Sequence, residues 1–163
     1  MSAHLALPVK IASDGIDARP AFDPQRQQYL ATVLIDALIA GPVAADVRRV
    51  GVTELDLFLP VFTHIYGYAQ LGGTVAIASS FRLRPEMAGD PADPKRLLDR
   101  LTKETLHELG HTFGLQHCSA PWCVMRYSRS AEEVDLKDAA YCVLCDQRIP
   151  RAGLPTPCSP IPD

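Results

Sequence analysis

His107-Glu108-Leu109-Gly110-His111-Thr112-Phe113-Gly114-Leu115-Gln116-His117, followed at once by Cys118, is the stretch on which the reading of this chain turns. His107 and His111 are spaced i, i+4, so on a helix they stand one turn apart on one face. Neutral imidazoles in that relation can hold a single Zn²⁺ at about 2.0–2.1 Å. Glu108 does not share that face fully, so it falls beside such an ion, where a carboxylate can take a proton from an activated water. A ligand beyond Gly114 is out of reach if the helix simply continues. Glycine accepts positive φ cheaply, so the chain can stop there and turn His117 back as a third nitrogen. Three protein ligands leave a fourth position for water, which separates catalytic from structural zinc. Chance histidines on a helix explain a bare H-E-x-x-H but fit the full pattern poorly.

Upstream of the motif, Asp93-Pro94 reads as a helix start, with Asp as N-cap and Pro at the first helical position. Leu97, Leu98, Leu101 and Leu109 supply the expected buried stripe of the long helix that carries the histidines. Asp23-Pro24 gives the same start signal for an earlier helix, whose Leu30, Val33, Leu34, Leu38 and Ile39 recur at helical spacing until Gly41-Pro42. Strands are expected at Leu7 to Ala12, Val50 to Leu59, Tyr66 to Gln70 and Thr74 to Ser80. Gly72-Gly73 makes a hairpin between the last two, which would then be antiparallel. A final helix is expected from Leu136 to Ile149. A tail at 151–163, holding Pro155, Pro157, Pro160 and Pro162, is expected to be extended or disordered.

With 163 residues, 47% hydrophobic content and a net charge of −3, the chain has the makings of one ordinary globular domain. No Lys/Arg cluster stands out beyond Arg48-Arg49 and the scattered Arg82 and Arg84, so no nucleic-acid partner is expected. No run approaches the ~18 apolar residues of a membrane span, and Met1 to Pro8 lacks the charged and apolar regions of a signal peptide. A cytoplasmic, reducing location is the expectation, and there cysteines serve metals more often than disulfides. Cys118, Cys123, Cys142 and Cys145 form a C-x₄-C and a C-x₂-C pair, the usual layout of a closed Cys₄ zinc site. Two disulfides are the alternative, which a reducing compartment disfavours. Cys158 reads as a free thiol without a role. His4 and His64 lack ligand spacing and read as ordinary histidines; Arg26 and Tyr29 read as structural.

H-E-L-G-H-T-F-G-L-Q-H is the elongated motif of the metzincin clan of zinc peptidases. Within that clan the chain resembles the archaemetzincins, through His117-Cys118, Cys123-Val124-Met125 and Cys142-Val143-Leu144-Cys145. The likeness extends upstream through Asp23 to Tyr29, Gly51 to Leu57 and Gly72 to Ala76, and so covers most of the chain from Phe22 to Cys145. Two features depart from the family pattern. An additional strand and helix usually precede the segment that begins here near Leu7, and the spacing from Met125 to Cys142 is marginally shorter.

The resemblance implies an α+β, metzincin-like fold: a small twisted mixed sheet with an antiparallel edge strand, a backing helix and an active-site helix. An irregular zinc-bound C-terminal part with a final helix would follow. It implies one catalytic domain over 1–150, with an upper part at 7–114 and a lower part at 115–150. It further implies His107, His111 and His117 as catalytic zinc ligands, Glu108 as general base, and Cys118, Cys123, Cys142 and Cys145 on a second, structural zinc. Met125 matches the Met-turn beneath the metal. Thr74, Val75, Ala76 and Ile77 match the edge strand that pairs with an extended substrate. Tyr127, two residues after the methionine, is a candidate oxyanion stabiliser by distant parallel with other metzincins.

The expected protein is a monomeric zinc metallopeptidase with two Zn²⁺, acting on peptides or small proteins. The alternatives are action confined to chain ends, as an aminopeptidase, and a zinc-stabilised peptide-binding module with little turnover. The intact Glu108 argues against the last, because a pure binding site has no use for a base.

Overall fold

Asp93 approaches the site helix in an extended conformation and its carboxylate accepts the Arg96 N–H at 3.0 Å, while Pro94 enters the first turn with φ already set. The cap chemistry read from the sequence is thus the cap in use. The computed structural model describes residues 8–12, 15–40, 44 and 47–149. In order its elements are β1 (Phe22–Asp23), β2 (Gln28–Leu30), α1 (Ala31–Ile39), β3 (Arg49–Thr53), β4 (Leu57–Phe58), β5 (Gly67–Ala69), β6 (Val75–Ser79), α2 (Pro94–Thr112), α3 (Ala131–Asp135) and α4 (Val143–Asp146). Short 3₁₀ turns precede β1 and link β6 to α2. No helix among the described residues is long and apolar enough to cross a membrane.

Two three-stranded sheets form, with orders β1-β2-β4 and β3-β6-β5. In the second, β3 runs parallel to β6 from Arg49 opposite Val75 to Thr53 opposite Ser79, and β5 runs antiparallel with Gly67 opposite Ala78. The Gly72-Gly73 hairpin is as expected: Gly72 has φ +69° and the Gly73 N–H donates to the Gln70 carbonyl at 2.9 Å. Helix α1 packs Leu34, Ile35 and Leu38 against Val75 and Ile77, giving the sheet its apolar core. Helix α2 also contacts β5 and β6. A second cluster holds Leu115, Val124, Met125 and three of the cysteines, and a third joins Leu83 to Ala131 and Val134.

Five sequence expectations are corrected. Asp23-Pro24 does not begin α1. The Asp23 carboxylate accepts the Gln25 and Arg26 N–H groups at 2.8 and 3.1 Å, and Gln27 takes φ +56°, so the signal closes the β1–β2 hairpin. Helix α1 starts only at Ala31, from Leu30, which provides no side-chain cap. Pro8 to Ala12 forms no strand, and Val9 and Ile11 are exposed; Leu7 lies outside the described residues. The stretch from Val50 to Leu59 divides into β3 and β4, which join different sheets. The expected helix from Leu136 to Ile149 is replaced by α3 and α4, with 136–142 between them bonded to other loops: Asp138 N–H to Trp122 O and Val124 N–H to Ala140 O. Finally, α2 buries its polar face. Arg100, Lys103, Glu104, His107, Glu108 and Thr112 are buried, whereas Leu98 is 64% exposed. The Gly41-Pro42 helix stop, His4, Cys158 and the tail at 151–163 are outside the described residues.

That inversion is tolerated because the buried Arg100, Lys103 and Glu104 of α2 are paired. Arg100 donates to both Asp135 oxygens at 2.7 Å and to the Leu83 carbonyl at 2.9 Å. Lys137 and Glu104, both almost wholly buried, meet at 2.9 Å. These pairs fix α3 and the following loop against α2, and so bring the cysteine-bearing region under the histidines.

Candidate metal centres and active-site cavity

Helix α2 ends in a Schellman motif. Gly114, with φ +82°, donates to the His111 carbonyl at 2.9 Å, and Leu115 donates to the Gly110 carbonyl at 3.1 Å. This is the turn the sequence demanded of Gly114, and it sends the chain back past the helix end to His117. The ligand atoms of His107, His111 and His117 then lie within 4.8 Å of one another.

Two of the rings are held by backbone carbonyls. His107 Nδ1 lies 2.8 Å from the Val124 oxygen and His111 Nδ1 lies 2.7 Å from the Leu115 oxygen. A carbonyl only accepts, so each Nδ1 carries the proton and each Nε2 presents a lone pair. Those two Nε2 atoms face each other at 3.1 Å. Opposed lone pairs repel unless a cation lies between them, and two nitrogens on one tetrahedral zinc would be about 3.3 Å apart. Burial pulls the His107 imidazole down to about 3, with Lys137 adding to the effect. Burial lowers His111 and His117 as well. All three rings are therefore neutral near neutral pH, as metal ligands must be. The donor set fits zinc.

Met125, completely buried, packs against Gly110 of α2. A Cβ on Gly110 would lie 2.4 Å from its sulfur and 3.0 Å from Tyr141 Cε1, so this helix position is glycine for want of space. The Tyr141 hydroxyl, from below, donates to the Leu106 carbonyl.

Glu108 faces a cavity of about 750 Å³ shared with the three histidines, Glu104 and the strand β5. Burial pushes its carboxyl well above the usual range, and the neighbouring Glu104 pushes the same way. Tyr127 is half exposed in the cavity wall, its ring 5.2 Å from that of His117.

The four cysteine sulfurs also converge within 4.8 Å. Cys118 Sγ and Cys142 Sγ are 3.8 Å apart, far beyond a disulfide's ~2.05 Å. Two thiolates on one tetrahedral zinc, each at about 2.3 Å, would be about 3.8 Å apart. The Cys142 N–H donates to Cys123 Sγ at 3.3 Å, as thiolates in such sites require. Cys118, Cys123, Cys142 and Cys145 are all free of disulfides. The Cys118 N–H donates to the Met125 carbonyl at 2.9 Å, tying the His117-Cys118 step to the methionine turn.

One site expectation is overturned by topology. Val75, Ala76 and Ile77 belong to β6, which has strands on both sides, and Thr74 leads into it with its carbonyl accepting the Arg49 N–H. A strand so paired offers no edge. The edge strands are β3 and β5, and of these it is β5 that lines the cavity. Ser79 N–H bonds the Tyr66 carbonyl and Gln70 N–H bonds the Val75 carbonyl, so by antiparallel alternation Tyr66, Tyr68 and Gln70 face β6. Gly67 and Ala69 turn their peptide groups outward. At the hairpin tip the Gly72 N–H donates to the His111 carbonyl at 2.8 Å.

Sequence reading passed over several cavity residues. His64, dismissed for lack of ligand spacing, lines the wall beside Tyr66, and burial lowers its pKa. Glu104 was invisible as a site residue because its partner Lys137 is far along the chain. The i, i+4 spacing of Glu104 and Glu108 was the one available signal.

The model for "Peptidase family M54" matches residues 6–151. Among curated relatives, the archaemetzincin of Pyrococcus horikoshii is 41% identical over 130 residues, covering 79% of this chain and 69% of that protein. The crystal structure of archaemetzincin from Methanopyrus kandleri matches with TM-score 0.71 and 41% identity over 79% of this chain and 68% of that one. A zinc-dependent peptidase from Methanocorpusculum labreanum matches with TM-score 0.76 and 32% identity over 87% and 85%. Kinship at this level, spread over both the sheet and the cysteine-rich region, admits one conclusion: the chain belongs to peptidase family M54, the archaemetzincins, and is a zinc metallopeptidase.

Proposed function

We propose that this chain hydrolyses peptide bonds with Glu108 as general base, His107, His111 and His117 as ligands of a catalytic zinc, and the four cysteines on a second, structural zinc. The observation that carries the reading is the meeting of the His107, His111 and His117 ligand nitrogens with Glu108 in the lining of one cavity. Zinc, when bound there, supplies Lewis acidity to the scissile carbonyl and makes water a nucleophile at neutral pH. A nearby divalent charge also favours the ionised Glu108 against its burial. Glu108 then takes the proton of the attacking water and returns it to the leaving amine. Tyr127, beside His117, is suited to donate to the oxyanion.

The outward peptide groups of Gly67 and Ala69 on β5 support an extended substrate added as a further strand. This takes over the role expected of Thr74 to Ile77. Confinement to chain ends would need an anionic seat for the substrate's amine. Glu104, the acidic wall residue besides Glu108, is already neutralised by Lys137. Backbone pairing therefore favours cleavage within peptides or small proteins. On this reading residues 1–150 work as one catalytic domain, since the lower part at 115–150 supplies both His117 and the carbonyl that orients His107.

The test is zinc stoichiometry together with cleavage of a diverse peptide library, for wild type and Glu108→Ala. Two zincs, internal cuts and a loss of at least about 100-fold in Glu108→Ala with zinc retained are expected. Full turnover in that variant would exclude Glu108 as the base. Binding without cleavage by the wild type would leave a peptide-binding module, and cuts confined to N-termini an aminopeptidase. Tyr127→Phe with unaltered turnover would remove the phenol from the mechanism.

A further inference from the structure

Gly67 opens the edge strand β5, where glycine gives up both side-chain packing and backbone entropy. Its φ is not positive, so no unusual backbone conformation calls for glycine there. Space does. A Cβ at Gly67 would stand 2.5 Å from Glu108 Cγ, 2.8 Å from Cδ and 2.7 Å from Oε1. Each distance is well below van der Waals contact, and the three atoms run from Cγ through the carboxyl carbon to one of its oxygens. The α-carbon of β5 is in effect the lid of the Glu108 seat.

We propose that Gly67 is the positioning residue for Glu108: the missing side chain leaves the carboxylate its place between helix α2 and the edge strand. The same residue turns its N–H and carbonyl outward from the sheet. Resting on the general-base reading above, this makes one residue set both the height of the base and the line along which a substrate backbone would run. A larger residue at 67 forces a choice. Either Glu108 leaves its rotamer, or β5 lifts away from α2. Lifting β5 pulls on the Gly72 N–H bond to the His111 carbonyl at the hairpin tip, so the cheaper response is displacement of the carboxylate.

The experiment is a double-mutant cycle of Gly67→Ala and Glu108→Ala in the zinc-loaded protein, read by thermal unfolding, zinc content and steady-state kinetics. In the wild-type background Gly67→Ala is expected to lower Tm by about 5 °C and kcat by about 100-fold, with zinc content and KM little changed. In the Glu108→Ala background the same substitution is expected to leave Tm unchanged or raised, because the atoms it would strike are gone and alanine favours the folded strand. An equal fall of Tm in both backgrounds would overturn the proposal, since the obstacle would then be something other than Glu108. Wild-type kcat in Gly67→Ala would overturn it equally. Should Gly67→Ala fail to fold, recovery of folding in the double variant supports the proposal and failure of both refutes it. The Tm cycle reports on the contact alone, whereas the kinetics of Glu108→Ala report on the base, so the two readings fail separately.

Discussion

On the two-zinc reading proposed above, removing the cysteine-bound metal should weaken the histidine site through the backbone that the two sites share. In a Cys142→Ser/Cys145→Ser variant the knuckle that clamps Cys118 and Cys123 is lost. Cys118 directly follows His117, and its N–H is bonded to the Met125 carbonyl at 2.9 Å. Cys123 is followed by Val124, whose carbonyl holds His107 Nδ1 at 2.8 Å. Two of the three imidazoles thus depend on backbone that the four thiolates pin. Loss of one orienting partner typically costs a ligand 10–100-fold in metal affinity, so two partners loosened together imply about 10²–10⁴-fold, or about 2.7–5.5 kcal/mol. The assay is competition with a chelator of known affinity, with total zinc measured on wild type, the double cysteine variant and a His111→Ala control that empties the other site. A histidine-site affinity within threefold of wild type, in a folded variant that has lost its cysteine-bound zinc, would refute the reasoning.

Three further outcomes are expected. Gly110→Ala should destabilise by about 1–3 kcal/mol despite alanine's helical advantage of about 1 kcal/mol, because the new Cβ meets the buried Met125 sulfur; calorimetry reads the sign directly. Lys137→Met leaves Glu104 charged and buried, and should cost about 3–5 kcal/mol in denaturant melts, with most of the loss recovered in Lys137→Met/Glu104→Leu. Asp135 is held below the ordinary carboxylate range, first by its hydrogen bonds from Arg100 and then by Arg96. Its contribution is therefore present above the unfolded-state pKa of about 3.9 and fades as pH falls through the lower folded value. Asp135→Asn should lower stability at pH 7 and make the acid limb below about pH 4 shallower; an acid limb as steep as wild type would contradict the assignment.

What the sequence disclosed was the chemistry that is local along the chain. The ligand spacing of His107 and His111, the left-handed turn at Gly114, the cap at Asp93 and the hairpin at Gly72-Gly73 each depend on neighbours within a few residues. Asp23-Pro24 shows the limit of that logic. A carboxylate that accepts two following N–H groups serves an N-cap and a hairpin turn equally well, and only the pairing of Phe22 with Tyr29 decides between them. The leucines of α2 misled for a different reason. Amphipathic pattern assumes that the buried face is apolar, but a helix whose inner face carries a site buries Glu104 and Arg100 beside Glu108 and relies on the distant Lys137 and Asp135 to offset the first two. The edge strand was misassigned because strand order is a tertiary property. The unbroken apolar run Val75-Ala76-Ile77-Ala78 signals burial on both faces, which is the mark of a central strand rather than an edge.

The hydrogen bond from Gly72 to the His111 carbonyl gives the molecule the character of a fixed caliper. One jaw is the hairpin of β5 and β6, and the other is the end of α2 that carries His111. With the tip of one jaw bonded to the other, the gap between strand edge and imidazoles cannot widen to suit a thick substrate without breaking that bond. On the proposed reading, an extended backbone enters that gap as it stands, whereas a bulkier one has first to break the Gly72–His111 bond.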